Sequence, residues 1–372
     1  MKKVIALLLA LSLTTGLMTA CGSKASDQKT TDQGTTQQDT TQQNNEQKND
    51  AGQNASEQQT ASEAVKTGLA VTTSLKSSKN ATADADGLAQ VDSFVVAVLV
   101  DADGKIVDCE IDSIQTKINF TAEGKLTTDV ATIVKTKQEK GTEYGMKGSS
   151  GIGKEWNEQA DFFANYVIGK TVDEVKGIAV NESGTAADAD LAAGITVHIA
   201  DFINGVEKAV ANAQDLGASK GDKLGLGTYT DIANSKDATA DAAGVAQAYS
   251  YYTVSTFDAD GKITSCIIDA SQGTVNFDTT GTITTDLSVA PQTKQELKEG
   301  YGMKSKSGIG KEWYEQANSF ADYVKGKTVA EVKGIALSED GRPADADLAA
   351  SVTVHVNSFQ TVIEKAYANA TK

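Results

Sequence analysis

The run Phe94-Val95-Val96-Ala97-Val98-Leu99-Val100 is apolar throughout and rich in β-branched residues. An Asp103-Gly104 pair follows, and Lys105 to Ile114 then alternates polar with apolar. The three features together predict a β-hairpin, because the pair suits a tight turn and period two sends alternate side chains to opposite faces of a sheet. Further on, Trp156, Ala160, Phe163 and Val167 recur at helical spacing, so Lys154 to Val167 predicts an amphipathic helix with one apolar stripe. Thr171-Val172-Asp173-Glu174 carries the Thr and Glu of a capping box and predicts a second, short helix. An acidic loop, Asp188-Ala189-Asp190, leads into an apolar segment from Ile195 to Ile199, where Thr196 and His198 have the spacing of one strand face. Phe202 to Ala213 reads as a closing helix.

The pattern then repeats. A shift of 157 residues lays Asp101-Ala102-Asp103-Gly104-Lys105-Ile106 on Asp258-Ala259-Asp260-Gly261-Lys262-Ile263, and Cys109 on Cys266. It also lays Tyr144-Gly145-Met146-Lys147 on Tyr301-Gly302-Met303-Lys304, with no gap between. The chain is therefore a duplication, with a first copy over 64–215, a small polar linker over 216–222 and a second copy over 223–372. Each copy reads as an α+β unit, an antiparallel sheet with helices packed on it, and the pair are expected to fold as separate beads.

The N-terminal part is of another kind. Met1-Lys2-Lys3 precedes an apolar stretch from Val4 to Leu13 that is too short to span a bilayer, which predicts an export signal over 1–20. Small residues lead directly to Cys21, an arrangement that resembles the bacterial lipobox, whose cysteine is acylated and becomes the mature N-terminus. Residues 21–63 are almost wholly polar, without an apolar period, and predict a disordered tether. A net charge of -16 disfavours nucleic acid as a partner and leaves the lipid anchor as the route to a membrane. Beyond Cys21 only Cys109 and Cys266 remain, one per copy and each in an apolar strand pattern, so buried thiols are expected rather than a disulfide within a copy.

Hydrolytic and metal chemistry have little material. His198 and His355 are the only histidines, one per copy, too few for paired-histidine metal sites or Ser-His-Asp triads. Gly148 to Lys154 fits a phosphate-loop spacing, yet Glu155 stands where Ser or Thr is needed and the first Gly becomes Ser305 in the second copy. The Asp-rich hairpin turn lacks the further oxygen ligands of a calcium loop.

The segment Asp190-Leu191-Ala192-Ala193-Gly194-Ile195-Thr196 and its copy Asp347-Leu348-Ala349-Ala350-Ser351-Val352-Thr353 carry more. They resemble the flavinylation motif of the FMN-binding domain family, in which an Asp, two variable residues, a small residue, Gly, Ala and Thr or Ser follow in order. Ala193 and Ala350 replace the commoner Ser or Thr, Ile195 and Val352 replace Ala, and Ser351 replaces Gly. The resemblance implies FMN held by a phosphodiester on Thr196 and on Thr353, placed by a separate flavin transferase that uses FAD and magnesium, with Asp190 and Asp347 as the motif acids. Signal, tether and tandem copies together resemble the PplA-like flavoproteins of extracellular electron transfer. That likeness implies a carrier, not an enzyme, at the outer face of the cell membrane, receiving electrons from a membrane quinol pathway and passing them to ferric iron or other external acceptors.

Tyr144, Met146 and Trp156, with Tyr301, Met303 and Trp313, are candidates for packing on the flavin ring, though both tryptophans also suit a helix core. Gly153 and Lys154, with Gly310 and Lys311, open the amphipathic helix where N–H groups and a cation suit a phosphate, or are a plain helix start. His198 and His355 lie two residues past the threonines and suit either a flavin contact or a strand face. From another class, a surface lipoprotein that binds a small ligand or cell-wall polymer noncovalently fits the same composition.

Overall fold

The structure is a computed structural model that describes residues 63–372; the signal segment, Cys21 and the tether up to residue 62 lie outside the described residues. Each copy supplies an antiparallel three-stranded sheet: β1 (Lys66–Ser74), β2 (Gly87–Val100) and β3 (Ile106–Phe120) in the first, β4 (Lys223–Asp231), β5 (Gly244–Phe257) and β6 (Ile263–Phe277) in the second, in sequential order. The hairpin forms as its residues dictate. The Asp101 carboxylate accepts the N–H of Asp103 at 3.0 Å and of Lys105 at 2.8 Å, and Gly104 takes the left-handed conformation (φ 77°) that closes the turn. Both copies are thus α+β.

Four helices follow the sheet in the first copy: one turn at α1 (Lys137–Lys140), then α2 (Trp156–Val167), α3 (Val172–Lys176) and one turn at α4 (Ala189–Ala192); α5 (Ala200–Ala211) closes it. The second copy repeats them as α6 (Lys294–Leu297), α7 (Trp313–Val324), α8 (Val329–Lys333), α9 (Ala346–Ala349) and α10 (Asn357–Ala370). The capping box at Thr171 and Glu174 is formed and recurs at Thr328 and Glu331. Trp156, Phe163, Val167, Phe202 and Val206 pack with Val96, Val98 and Val100 as one buried core on the outer face of the first sheet. Gly68 lets the last helix lie directly on β1, since a Cβ there would stand 2.1 Å from the Ala209 carbonyl oxygen.

The copies are not separate beads. Val95, Ala97 and Leu99, on the other face of β2, share a core with Leu224, Leu226, Tyr252 and Val254 of the second sheet. A second shared core joins Ile118 and Phe120 to Val275 and Phe277. The stretch Phe94–Val100 of β2 is apolar at every position for this reason: one face meets helices and the other meets the second sheet. The result is a four-layer stack of helices, sheet, sheet and helices.

The two halves are related by an approximate two-fold axis. Phe120 and Phe277 occupy the same position in the repeat and stack on each other, ring centroids 4.1 Å apart and 7° from parallel. Ala81 donates to the Gly281 carbonyl at 2.9 Å, and the matching Ala238 donates to Gly124 at 2.8 Å. Lys208 pairs with Glu296 at 2.6 Å, and Lys365 with Glu139 at 2.5 Å. The 216–222 linker is itself part of the packing: Ala218 is buried and its carbonyl accepts the Val65 N–H at 3.0 Å. Cys109 and Cys266 are both free and buried, each under the outer helices of its own copy.

Candidate functional site

Thr196 and Thr353 do not lie on strands. After the single turn of α4 the chain runs through a turn to Ile199, with Asp188 as N-cap accepting the Leu191 N–H at 3.0 Å. The apolar positions Ile195 and Ile199 are fully buried because the turn is pressed against α2, which mimics strand alternation in the sequence. The acidic loop is thus a capped helical turn, and it leaves Asp190 and Asp347 exposed near the threonines.

One buried glutamine per copy fixes each threonine. Gln159 is wholly buried, and its Oε1 accepts the Thr196 N–H at 2.8 Å, the Thr196 hydroxyl at 3.3 Å and the Val197 N–H at 3.3 Å. Its Nε2 donates to the Ser150 hydroxyl at 3.1 Å and to the Lys154 carbonyl at 3.2 Å, so both ends of the amide are used. Gln316 repeats the set: Thr353 N–H at 2.8 Å, Thr353 hydroxyl at 3.1 Å, Ser307 at 3.1 Å and the Lys311 carbonyl at 3.2 Å. A buried amide with every group paired is costly to remove, and it holds the half-buried hydroxyl in one place.

The glycine-rich approach to α2 does not leave an open helix start. Glu155 and Glu312 are the N-caps, both 3% exposed, and their carboxylates accept the Met146 and Met303 N–H groups at 2.8 Å each. Glu158 and Glu315 in turn accept the N–H of Glu155 and Glu312 at 2.8 Å. Two carboxylates per copy thus stand at the helix end where Gly153, Lys154, Gly310 and Lys311 were expected to offer N–H groups and a cation to a phosphate. Lys154 lies over the Phe162 ring instead, 5.1 Å from its centroid.

The aromatic candidates converge. In the second copy Tyr301, Met303 and Trp313 line a cavity of about 370 Å³ whose rim carries Thr353 and His355. In the first copy Tyr144, Met146 and Trp156 line one of about 570 Å³ together with Val197 and His198, and Thr196 sits beside these on its glutamine. Trp156 and Trp313 serve both roles, being buried in the helix core with one edge on the cavity. His198 and His355 are exposed. Asp190, Ala193, Gly194 and their partners Asp347, Ala350 and Ser351 lie outside the cavity linings.

The replacement of Gly194 by Ser351 has a local cause. A Cβ on Gly194 would come within 2.2 Å of the Phe162 ring. In the second copy the residue facing that position is Ser319, and the small side chain leaves room for Ser351, whose hydroxyl donates to the Leu348 carbonyl at 3.1 Å.

Reading by motif misses Lys294, which is 2% exposed. It donates to the Tyr249 hydroxyl and lies 4.4 Å from the Tyr249 ring centroid, 4.2 Å from Tyr301 and 5.0 Å from Trp313. Burial pulls its amine down to about 7, against a smaller opposing pull from Asp269. Burial likewise pushes the Asp269 carboxyl up to about 7 and that of Asp112 in the first copy to about 7. The counterpart Lys137 is half-buried, over Tyr144 and Trp156 at 4.9 Å each. The sequence offers no cue beyond a lysine directly after a Thr helix cap, Thr136 or Thr293, since its neighbours Gln and Glu are polar and the rings are brought to it by the fold.

A larger cleft of about 590 Å³ lies at the seam between the copies, but no aromatic residue lines it. Among the described residues no group of three or more His, Cys, Asp or Glu is arranged to hold a metal, and no helix is long and apolar enough to cross a membrane.

No protein-family profile matches the chain, and no solved structure does. A stretch of 42 residues is 55% identical to a protein of Desulfitobacterium hafniense named chlorophenol reductase. The match covers 11% of this chain and 13% of that protein, so it bears on a short segment and not on the whole of either.

Proposed function

We propose that the chain is a lipid-anchored carrier of electrons at the outer face of the cell membrane, holding one FMN on Thr196 and one on Thr353, with Cys21 as the acylated residue. The observation that carries the reading is a threonine hydroxyl clamped by a buried glutamine, on the rim of an aromatic cavity in the second copy and next in the chain to Val197, which lines the cavity, in the first. The second cavity suits a planar ring in size and chemistry: about 370 Å³, with Tyr251, Tyr301, Trp313 and the Met303 thioether on its walls. Lys306 and Arg342 face the same cavity as Thr353 and suit a phosphodiester. When bound, FMN supplies reversible one- and two-electron chemistry that no side chain here can.

The chain's own part is positioning. Gln159 and Gln316 hold the acceptor hydroxyls, the capped helices α2 and α7 hold the tryptophans, and Asp190 and Asp347 stand exposed where a transferase using FAD and magnesium would dock. Electrons would enter from a membrane quinol-oxidising system and leave to ferric iron or another external acceptor. The short segment shared with a protein named for a reductive activity is in keeping with redox work.

The test is intact mass after coexpression with a flavin transferase. Unmodified protein should carry two FMN groups, Thr196→Val one, Thr353→Val one and the double variant none; Val keeps the β-branched shape and removes only the hydroxyl. Gln316→Leu should lower occupancy on Thr353 alone. A colourless wild type would overturn the reading and favour a noncovalent ligand for the cavities.

A further inference from the structure

The two cavities share a frame but not a charge. Asp112 and Asp269, Glu155 and Glu312, and the threonine–glutamine clamps occur in both, so their influence cancels in any comparison. What differs lies on the walls. The first cavity carries the carboxylates of Asp92 and Asp201, and Lys76 on its rim. At the matching positions the second copy has Tyr249, Ser358 and Ala233, and it gains Lys306 where the first has Ser149. Arg342 is also new, replacing Thr185, but Asp340 pairs with it at 3.0 Å and offsets its charge. No carboxylate lines the second cavity. In the first, Asp92 accepts from the Gln90 amide at 2.9 and 2.8 Å.

The tyrosines extend the difference. Tyr249 stacks on Tyr251 at 4.6 Å and 19°, and Tyr251 on Tyr229 at 6.4 Å, where the first copy has Asp92, Phe94 and Thr72. This wall encloses Lys294, while Lys137 stays half-open. Below about pH 7 the Lys294 amine is a cation, and among low-polarity rings it acts on a neighbouring charge over a longer range than one in water.

We infer that the second cavity holds its redox group at the higher potential, so that electrons delivered to the protein settle on the second copy, with Lys294 as the positioning residue and Asp92 as the group that disfavours reduction in the first. The inference rests on the proposed flavin at Thr196 and Thr353. Its reason is that reduction adds negative charge to the ring, and that charge is favoured beside Lys294 and Lys306 and disfavoured beside Asp92 and Asp201. The exchange is internal and balanced: two electrons and a proton leave the group of the first copy, which is oxidised, and arrive at the group of the second, which is reduced. No outside reactant is consumed.

The experiment uses the full chain flavinylated at one site at a time, Thr353→Val to isolate the first and Thr196→Val to isolate the second, each checked by intact mass. Spectroelectrochemical titration below the value of about 7 at which Lys294 loses its proton then gives the midpoint potential of each, with both sites at the same pH. The second site should bind the reducing equivalents at least tenfold more tightly, about 30 mV for a two-electron couple. Lys294→Met should lower the second potential and leave the first unchanged, and Lys294→Arg should restore most of it. Asp92→Asn, on the other sheet, should raise the first potential alone, which keeps the inference testable if Lys294→Met does not fold. Two flavins with equal potentials, or potentials indifferent to both substitutions, would overturn the inference while leaving the attachment sites intact. Absence of covalent flavin from the wild type would instead remove the reading beneath it.

Discussion

The interface between the sheets and the outward cavities differ in what the duplication has kept. At the interface a set of reciprocal contacts is kept, Phe120 against Phe277, Ala81 and Ala238 with their glycine carbonyls, Lys208–Glu296 and Lys365–Glu139, while between them Val95 has become Tyr252, Leu99 Thr256 and Ile114 Ser271. In the cavities the clamp is kept and the walls have changed, Asp92 to Tyr249, Phe94 to Tyr251, Thr72 to Tyr229. Reciprocal contacts about an approximate two-fold axis constrain both copies at once, because a change in either is felt in both. A cavity wall touches only its own copy and is free to diverge.

The largest effect tests the interface. Phe120→Ala removes a ring that is wholly buried against its symmetry mate and should cost about 3–5 kcal/mol. Because the cores are shared, the loss should appear as one cooperative unfolding transition of the whole described region; two transitions, with only the first copy weakened, would restore the picture of separate beads. Residues 64–215 expressed alone should expose the inner sheet face and associate or aggregate, which analytical ultracentrifugation would detect.

A smaller effect tests the cavities. Lys294→Met removes an amine that burial holds at about 7 against an ordinary 10.5, and should stabilise the protein by about 1–4 kcal/mol at neutral pH. The sign follows from proton binding: between those values the unfolded chain binds the proton and the folded one does not, so wild-type stability rises with pH there. The advantage of Lys294→Met should therefore shrink as pH goes from about 7 toward 10.5, as read by denaturant titration. An advantage that does not change over that range would mean that the amine keeps an ordinary affinity for protons.

The smallest effect concerns the motif itself. Gly194→Ser should cost about 1 kcal/mol, since the half-exposed Phe162 must move aside, and Phe162→Ser in the same chain should recover it. Ser351→Gly, with Ser319 opposite, should cost less. Equal costs in the two copies, measured by thermal melts, would show that Phe162 and Ser319 are not what sets the residue at that place.

Much of this architecture was legible in the residues. The Asp103-Gly104 hairpin, the α2 stripe and the Thr171–Glu174 cap depend on local chemistry and are formed as read. What failed depends on what lies opposite. The run Phe94–Val100 announces a strand buried on both faces, but nothing within it says that the second cover is the other copy. Ile195 and Ile199 alternate because a turn presses them onto a helix, and that looks the same as a strand. Glu155 was legible only as an obstacle to a phosphate loop, although it is the cap of the helix whose glutamine clamps the threonine. Gln159 and Lys294 belong to no motif: glutamine and threonine stand 37 positions apart until the fold closes that gap, and the rings around the lysine are gathered in the same way.

The stacked pair of phenylalanines also bears on inheritance. In a dimer assembled from one gene product, every substitution appears at both sites, so neither can specialise without altering its twin. Fusing the halves into one reading frame lifts that constraint: each pocket acquires its own heritable fate while the ring pair keeps the ancestral geometry. A lysine enclosed by tyrosines on one side and an aspartate on the other is a combination that two copies of one gene product could not hold.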